Sequence, residues 1–131
     1  MAIVTRGIRV AQVALLALCF MGTGAAIAQD YPSKSIKIVV PFPPGALTDA
    51  LARLVAEKLQ GRWGQPVIVE NRAGAGGIVG MEIAKNAAPD GYTLISATTA
   101  ASTVAVLLMK KPTFHPVTDY DHVSQFAVTA N

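Results

Sequence analysis

One cysteine occurs among the 131 residues, and that one, Cys19, sits inside an apolar N-terminal run. An intrachain disulfide framework is excluded, and so is a catalytic thiol beyond that run. Charged residues make up only 15% of the chain, and no Lys/Arg cluster exceeds the pair Lys110-Lys111. A nucleic-acid partner therefore has no basic patch to bind. The sequence has no G-x-x-x-x-G-K-[ST] phosphate loop, no G-x-S-x-G elbow and no paired-carboxylate constellation, so catalysis has no visible nucleophile. No apolar run approaches the ~20 residues that span a bilayer as a helix.

What is present begins with a targeting pattern. Arg6 and Arg9 form a positive n-region, residues 13–21 are an unbroken apolar run, and Ala26-Ile27-Ala28 is a small-x-small cleavage site. Residues 1–28 thus read as a cleaved secretory signal peptide, with the exported domain at 29–131. That domain carries nine basic and eight acidic residues. The overall basicity comes largely from the leader.

Beyond the leader the sequence alternates strand-like and helix-like segments. Ile36-Lys37-Ile38-Val39-Val40 is β-branched and apolar, as in a parallel strand covered on both faces. Leu47, Leu51, Leu54, Val55 and Leu59 follow at helical spacing, with Thr48 or Asp49 placed as the cap and Gly61 and Gly64 marking the end. Residues 66–70 read as a second strand, 71–77 as a flexible glycine turn, and 78–87 as a second helix stopped by Pro89-Asp90-Gly91. Residues 92–96 read as a third strand, 98–102 as a small polar loop and 104–109 as a short helix. A turn-rich connection at 112–121 leads to a fourth strand at 122–129. The order β-α-β-α-β-α predicts an α/β fold with a parallel sheet, flanking helices and right-handed crossovers.

Candidate chemistry is sparse. Gly74-Ala75-Gly76 supplies the first glycines of G-x-G-x-x-G, but the last position is Val79, and Ser96-Ala97 stand where a ribose-binding acid is needed. The turn reads as a close approach of helix and strand, with no nucleotide cofactor. His115 and His122, with Asp119 and Asp121, lie in a loop-rich tail that reads as solvated and not as a metal site.

Three loops follow the carboxyl ends of strands: Phe42 to Asp49, Ala73 to Gly77, and Ala97 to Ser102. Ligands of open parallel sheets bind at that edge, where helix N-termini direct partial positive charge outward. The free N–H groups of these loops, together with the hydroxyls of Thr48, Thr98, Thr99 and Ser102 and the scarcity of cations, suit a small carboxylate. Asp49 reads equally as a helix cap or a ligand contact, and Phe42 equally as rim or core.

The ordered motifs Tyr31-Pro32-Ser33-Lys34, Val39-Val40-Pro41-Phe42-Pro43-Pro44-Gly45 with Thr48-Asp49, Arg62-Trp63-Gly64-Gln65-Pro66-Val67, Val69-Glu70-Asn71-Arg72, Gly74-Ala75-Gly76-Gly77 and Ala88-Pro89-Asp90-Gly91-Tyr92-Thr93-Leu94 resemble the tripartite tricarboxylate transporter substrate-binding proteins, or Bug receptors. The resemblance implies a periplasmic, non-enzymatic, two-lobed type 2 periplasmic binding protein fold. Such a receptor captures small di- or tricarboxylates and hands them to the transporter's membrane permease subunits. It also implies that Pro44, Gly45, Ala46, Thr48, Asp49, Thr98 and Thr99 form the first lobe's half of the cleft. The resemblance implies Gly-Gly after the prolines where this chain has Gly45-Ala46, and if that second glycine takes a positive φ, Ala46 would cost ~1–2 kcal/mol.

By length, the chain is expected to be a fragment, a truncated gene product or a degenerate copy supplying only the opening part of lobe one. Half a cleft is expected to bind weakly or not at all. The alternative reading is a small exported α/β enzyme using a nucleotide or metal.

Overall fold

The computed structural model describes residues 30–128; the expected signal peptide at 1–28 lies outside the described residues. A three-stranded parallel sheet runs in the order β2-β1-β3. Strand β1 (Ile36–Val40) is central, flanked by β2 (Val67–Asn71) and β3 (Thr93–Ile95). Its Ile36, Val39 and Val40 are essentially inaccessible to solvent, which fits a β-branched central strand covered on both faces. Lys37 is its exposed exception and pairs with Glu70 at 3.1 Å. The ladder continues past the strand ends, with the Arg72 amide donating to the Val40 carbonyl at 2.8 Å and the Ser96 amide to the Val39 carbonyl at 2.9 Å.

Helix α1 (Leu47–Trp63) covers one face of the sheet. Of the apolar stripe expected to face the core, Val55 and Leu59 pack against it, but Leu47 and Leu54 are 59% and 53% exposed, while Asp49, Ala52 and Ala56 are buried. At 100° per residue, Leu47 and Leu54 share the side opposite Ala52 and Ala56. The small alanine side chains let the helix approach the sheet, and Val55, Leu59 and Trp63 flank that contact. Gly64, at φ 68, ends the helix by donating its amide to the Gln60 carbonyl. Gly61 lies within the last turns instead of terminating them.

Helix α2 (Ile78–Lys85) packs on the opposite face, where Met81 joins Ala101, Val106 and Phe114. Gly80 makes this approach possible: a Cβ there would stand 2.7 Å from Pro41 Cβ and 2.8 Å from Pro41 Cα. The glycine turn expected at 71–77 ends in a short 3-10 turn, Ala75–Gly77. After β3, the expected polar loop is instead helical. A π-helical turn (Ala100–Val104) runs directly into the short helix α3 (Ala105–Leu107). Thr98 closes its start, its Oγ1 accepting the Ala101 amide at 3.3 Å and its carbonyl accepting the Ser102 amide at 2.9 Å.

The connection after α3 folds back onto α2. The Phe114 and Tyr120 rings meet edge to face at 5.7 Å, and the Tyr120 hydroxyl donates to the Met81 carbonyl at 2.9 Å. Burial of that hydroxyl, with Asp119 and Glu82 nearby, pushes its pKa up to about 12. The expected fourth strand does not form. Residues 122–128 are irregular and exposed, with Val123 84% accessible. A strand needs a neighbour to pair its amides and carbonyls, and none of the described residues supplies one.

Candidate functional site

All three loops expected to carry function leave the same edge of the sheet, because the strands are parallel and each chain crossing starts at a carboxyl end. Their roots touch at Gly77, where an added Cβ would lie 2.6 Å from Ala101 Cβ and 3.5 Å from Pro41 Cβ. Residues from β1–α1, β2–α2 and β3–α3 thus meet within van der Waals distance.

The β1–α1 turn is fixed by a polar cage. Asp49 is 4% exposed, and both of its carboxylate oxygens are engaged. Oδ2 accepts the Gly45 amide at 2.9 Å and Arg53 Nε at 3.1 Å, while Oδ1 accepts Asn71 Nδ2 at 2.9 Å and lies 3.0 Å from Arg53 Nη2. Asn71 also donates to the Phe42 carbonyl at 3.1 Å and accepts from Arg53 Nη2 at 3.1 Å. The Arg53 guanidinium first, then the Gly45 amide and the Asn71 side chain, lower the Asp49 pKa to about 2.

A depressed carboxyl pKa stabilises the fold above the ordinary value of 3.8, and that contribution is lost as pH falls through about 2. Glu70, Asp90 and Asp119 are lowered as well, by their own cation and amide partners. The contribution of Asp49 is therefore read by difference. Urea midpoints of the wild type should fall between about pH 4 and pH 2 more steeply than those of Asp49→Asn. Parallel profiles would show that the cage adds no pH-dependent stability.

The Asp49 side chain ties the turn back onto the helix. The N-cap is Ala46, which has no capping side chain, and Asp49 reaches back instead to the Gly45 amide. Ala46 takes φ −69 and ψ 158, an ordinary extended conformation, so the strain considered at this position is absent. The residue with positive φ is Gly45, at 85°. Helix α1 opens with the amides of Leu47, Thr48 and Asp49, and these find no acceptor among the described residues. Thr48 Oγ1 is buried without a hydrogen-bond partner. Pro43 and Pro44 are exposed, whereas Phe42 is half-buried and packs against the clusters on both faces of the sheet. Phe42 is therefore a core residue whose carbonyl anchors the turn.

Thr98 is half-buried and Thr99 exposed. Both line a groove of about 580 Å³ whose floor is largely apolar, with Ile38, Val55 and Leu94, and whose far wall is residues 121–126. None of residues 42–49 lines that groove, so the two halves of the expected site share an edge of the sheet but not a cavity. The imidazole Nδ1 of His115 accepts the Thr118 amide at 3.2 Å, and His122 Nε2 lies 3.0 Å from the Pro116 carbonyl. Both rings are tied into their own loop. Arg53 and Asn71 were not among the residues expected at the site. Arg53 lies one helical turn from Asp49, a legible spacing, but Asn71 reaches the turn only through strand pairing.

Comparison with known proteins is consistent with this architecture. Residues 51–131 match the family described as tripartite tricarboxylate transporter family receptor. The chain is 44% identical over 105 residues to protein BugT of Bordetella pertussis, covering 79% of this chain and 32% of BugT. It thus spans about a third of the length of the curated relatives it matches. Among solved structures, one described as a periplasmic transporter is 45% identical, with a TM-score of 0.63 over 66% of this chain and 29% of its own. MatC from Rhodopseudomonas palustris with bound malate is 38% identical, with a TM-score of 0.64 over 68% of this chain and 30% of its own. The matched family is described as one of receptors, and the MatC structure holds malate. A matching profile over more than half the chain, together with a parallel α/β fold like theirs, places this chain in the tripartite tricarboxylate transporter receptor family.

Proposed function

We propose that this chain contributes part of the first lobe of a periplasmic receptor for small di- or tricarboxylates, exported by the leader at residues 1–28. In this reading it binds its ligand without transforming it and serves the membrane permease subunits of a tripartite transporter. The observation that carries the reading is the β1–α1 turn. Its own acidic side chain is turned inward, while the first amides of a 17-residue helix are left without acceptors. Helix N-termini of this kind attract anions. MatC, which shares the fold at 38% identity, has bound malate, a four-carbon dicarboxylate.

In this reading the amides of Leu47, Thr48 and Asp49, with the Thr48 hydroxyl, receive one carboxylate, while Pro44, Gly45 and Ala46 shape the turn. Thr98 and Thr99, on the neighbouring loop, offer hydroxyl contacts, while Asp49 and Phe42 support the turn from behind. Three backbone hydrogen bonds at about 1 kcal/mol each correspond to a Kd of several millimolar before association costs.

The test is an amide NMR titration of the chain with malate to tens of millimolar. Shifts concentrated at residues 45–49 and 98–102 are expected. Absence of any response, or shifts confined to residues 121–126, would overturn the proposal. Replacing the matching third of BugT with residues 30–131 should tighten malate binding if the remainder of the relative supplies the closing contacts.

A further inference from the structure

We propose that Arg53 and Asn71 are positioning residues for anion capture: by locking the Asp49 carboxylate inward, they keep the first turn of α1 from serving as its own ligand. This rests on the receptor reading above. Asp49 is the third residue of the helix, in the turn whose amides lack acceptors. A carboxylate tethered that close has a high effective concentration for those amides and would compete with an incoming acid.

The structure removes that competition in two ways. All of the hydrogen bonds made by Asp49 point back into the protein, to Gly45, Arg53 and Asn71. Its charge is also matched by the guanidinium of Arg53, 3.0 Å from Oδ1. Asn71 completes the cage from another element. It stands in register with Val40 at the end of β1, and its single side chain joins Asp49, Arg53 and the Phe42 carbonyl. The turn, the helix and the second strand are therefore held together by one carboxamide. The depressed Asp49 pKa, caused first by Arg53, agrees with a carboxylate kept ionised in this cage.

The proposal separates charge effects from folding effects, and its test uses both. In the ligand-free chain, Asn71→Ala should accelerate hydrogen exchange of the Gly45 amide about tenfold relative to core amides of β1, by releasing the acceptor. With ligand, Arg53→Gln should weaken malate, a dianion, about fivefold, the effect of one unit charge near a helix terminus. Lactate, a monoanion with the same α-hydroxy acid group, should weaken by about twofold or less, and Arg53→Lys should restore the discrimination. Far-UV circular dichroism checks that each variant folds. Unchanged Gly45 exchange in Asn71→Ala would overturn the cage whatever the ligands do. Unchanged malate binding in Arg53→Gln, or a loss that Arg53→Lys does not restore, would overturn its role in capture. If the wild type fails to respond to malate at all, the receptor reading falls and the capture role with it, while Gly45 exchange still decides whether the cage exists.

Discussion

Gly80→Val is expected to destabilise the chain by about 3 kcal/mol in urea unfolding, the upper part of the range for overpacking a tight contact. The Cβ it adds would meet backbone: 2.8 Å from Pro41 Cα and 3.0 Å from the Arg72 carbonyl oxygen. Those atoms belong to the exits of β1 and β2, so they cannot rotate aside as a side-chain end would. Helix α2 would have to lift from the sheet and loosen the packing of Met81 and Ala101. A domain of this size has roughly 5–15 kcal/mol of stability in all, and the loss should therefore be plain. Gly61→Ala is the contrasting substitution, in the other long helix, where nothing lies within 4 Å of an added Cβ. It should stabilise by about 0.5–1 kcal/mol. Equal effects of the two substitutions would show that close approach at Gly80 is not what distinguishes them.

Gly45→Val tests the turn itself and should cost about 2 kcal/mol. Here no atom stands in the way, since a Cβ would meet nothing within 4 Å, but the residue sits at φ 85. A β-branched side chain is strained there by its own backbone. Relief of that strain would rotate the Gly45 amide away from Asp49, so the variant should also lose anion-induced shifts at residues 45–49. Ala46→Gly next door should cost no more than about 1 kcal/mol, because Ala46 is already in an ordinary extended conformation. If Gly45→Val keeps both stability and anion response, the turn does not depend on its left-handed residue.

Much of this arrangement was legible in order along the chain. The β-branched run at 36–40, the Pro/Gly turn after it and the helical spacing from 47 to 59 each reflect a local preference of backbone and side chain, and the structure has a strand, a turn and a helix there. The alternation of such segments also fixed the fold class. Local pattern was less informative where two opposite faces of a helix compete. Leucines at 47 and 54 are more hydrophobic than alanines at 52 and 56, but the alanines are buried because close helix–sheet packing favours the smaller residue. Composition also misread 98–102, whose threonines and serine suggest a loop. There Thr98 supplies the acceptors that start a helical turn. The segment at 122–128 has a strand's composition but no partner strand among the described residues.

The site divides along the same line. Sequence alone determined that the three loops would gather at one edge, since parallel strands joined by helices bring every such loop to their carboxyl ends. It also placed Asp49 one turn before Arg53, within reach of a salt bridge along the helix. Only the tertiary structure decided what Asp49 does, because that depends on Asn71, 22 positions later, being carried beside the turn by the pairing of β2 with β1. Spacing along a helix is set by bond geometry and can be counted. Contact between strands is set by register, which no local preference encodes.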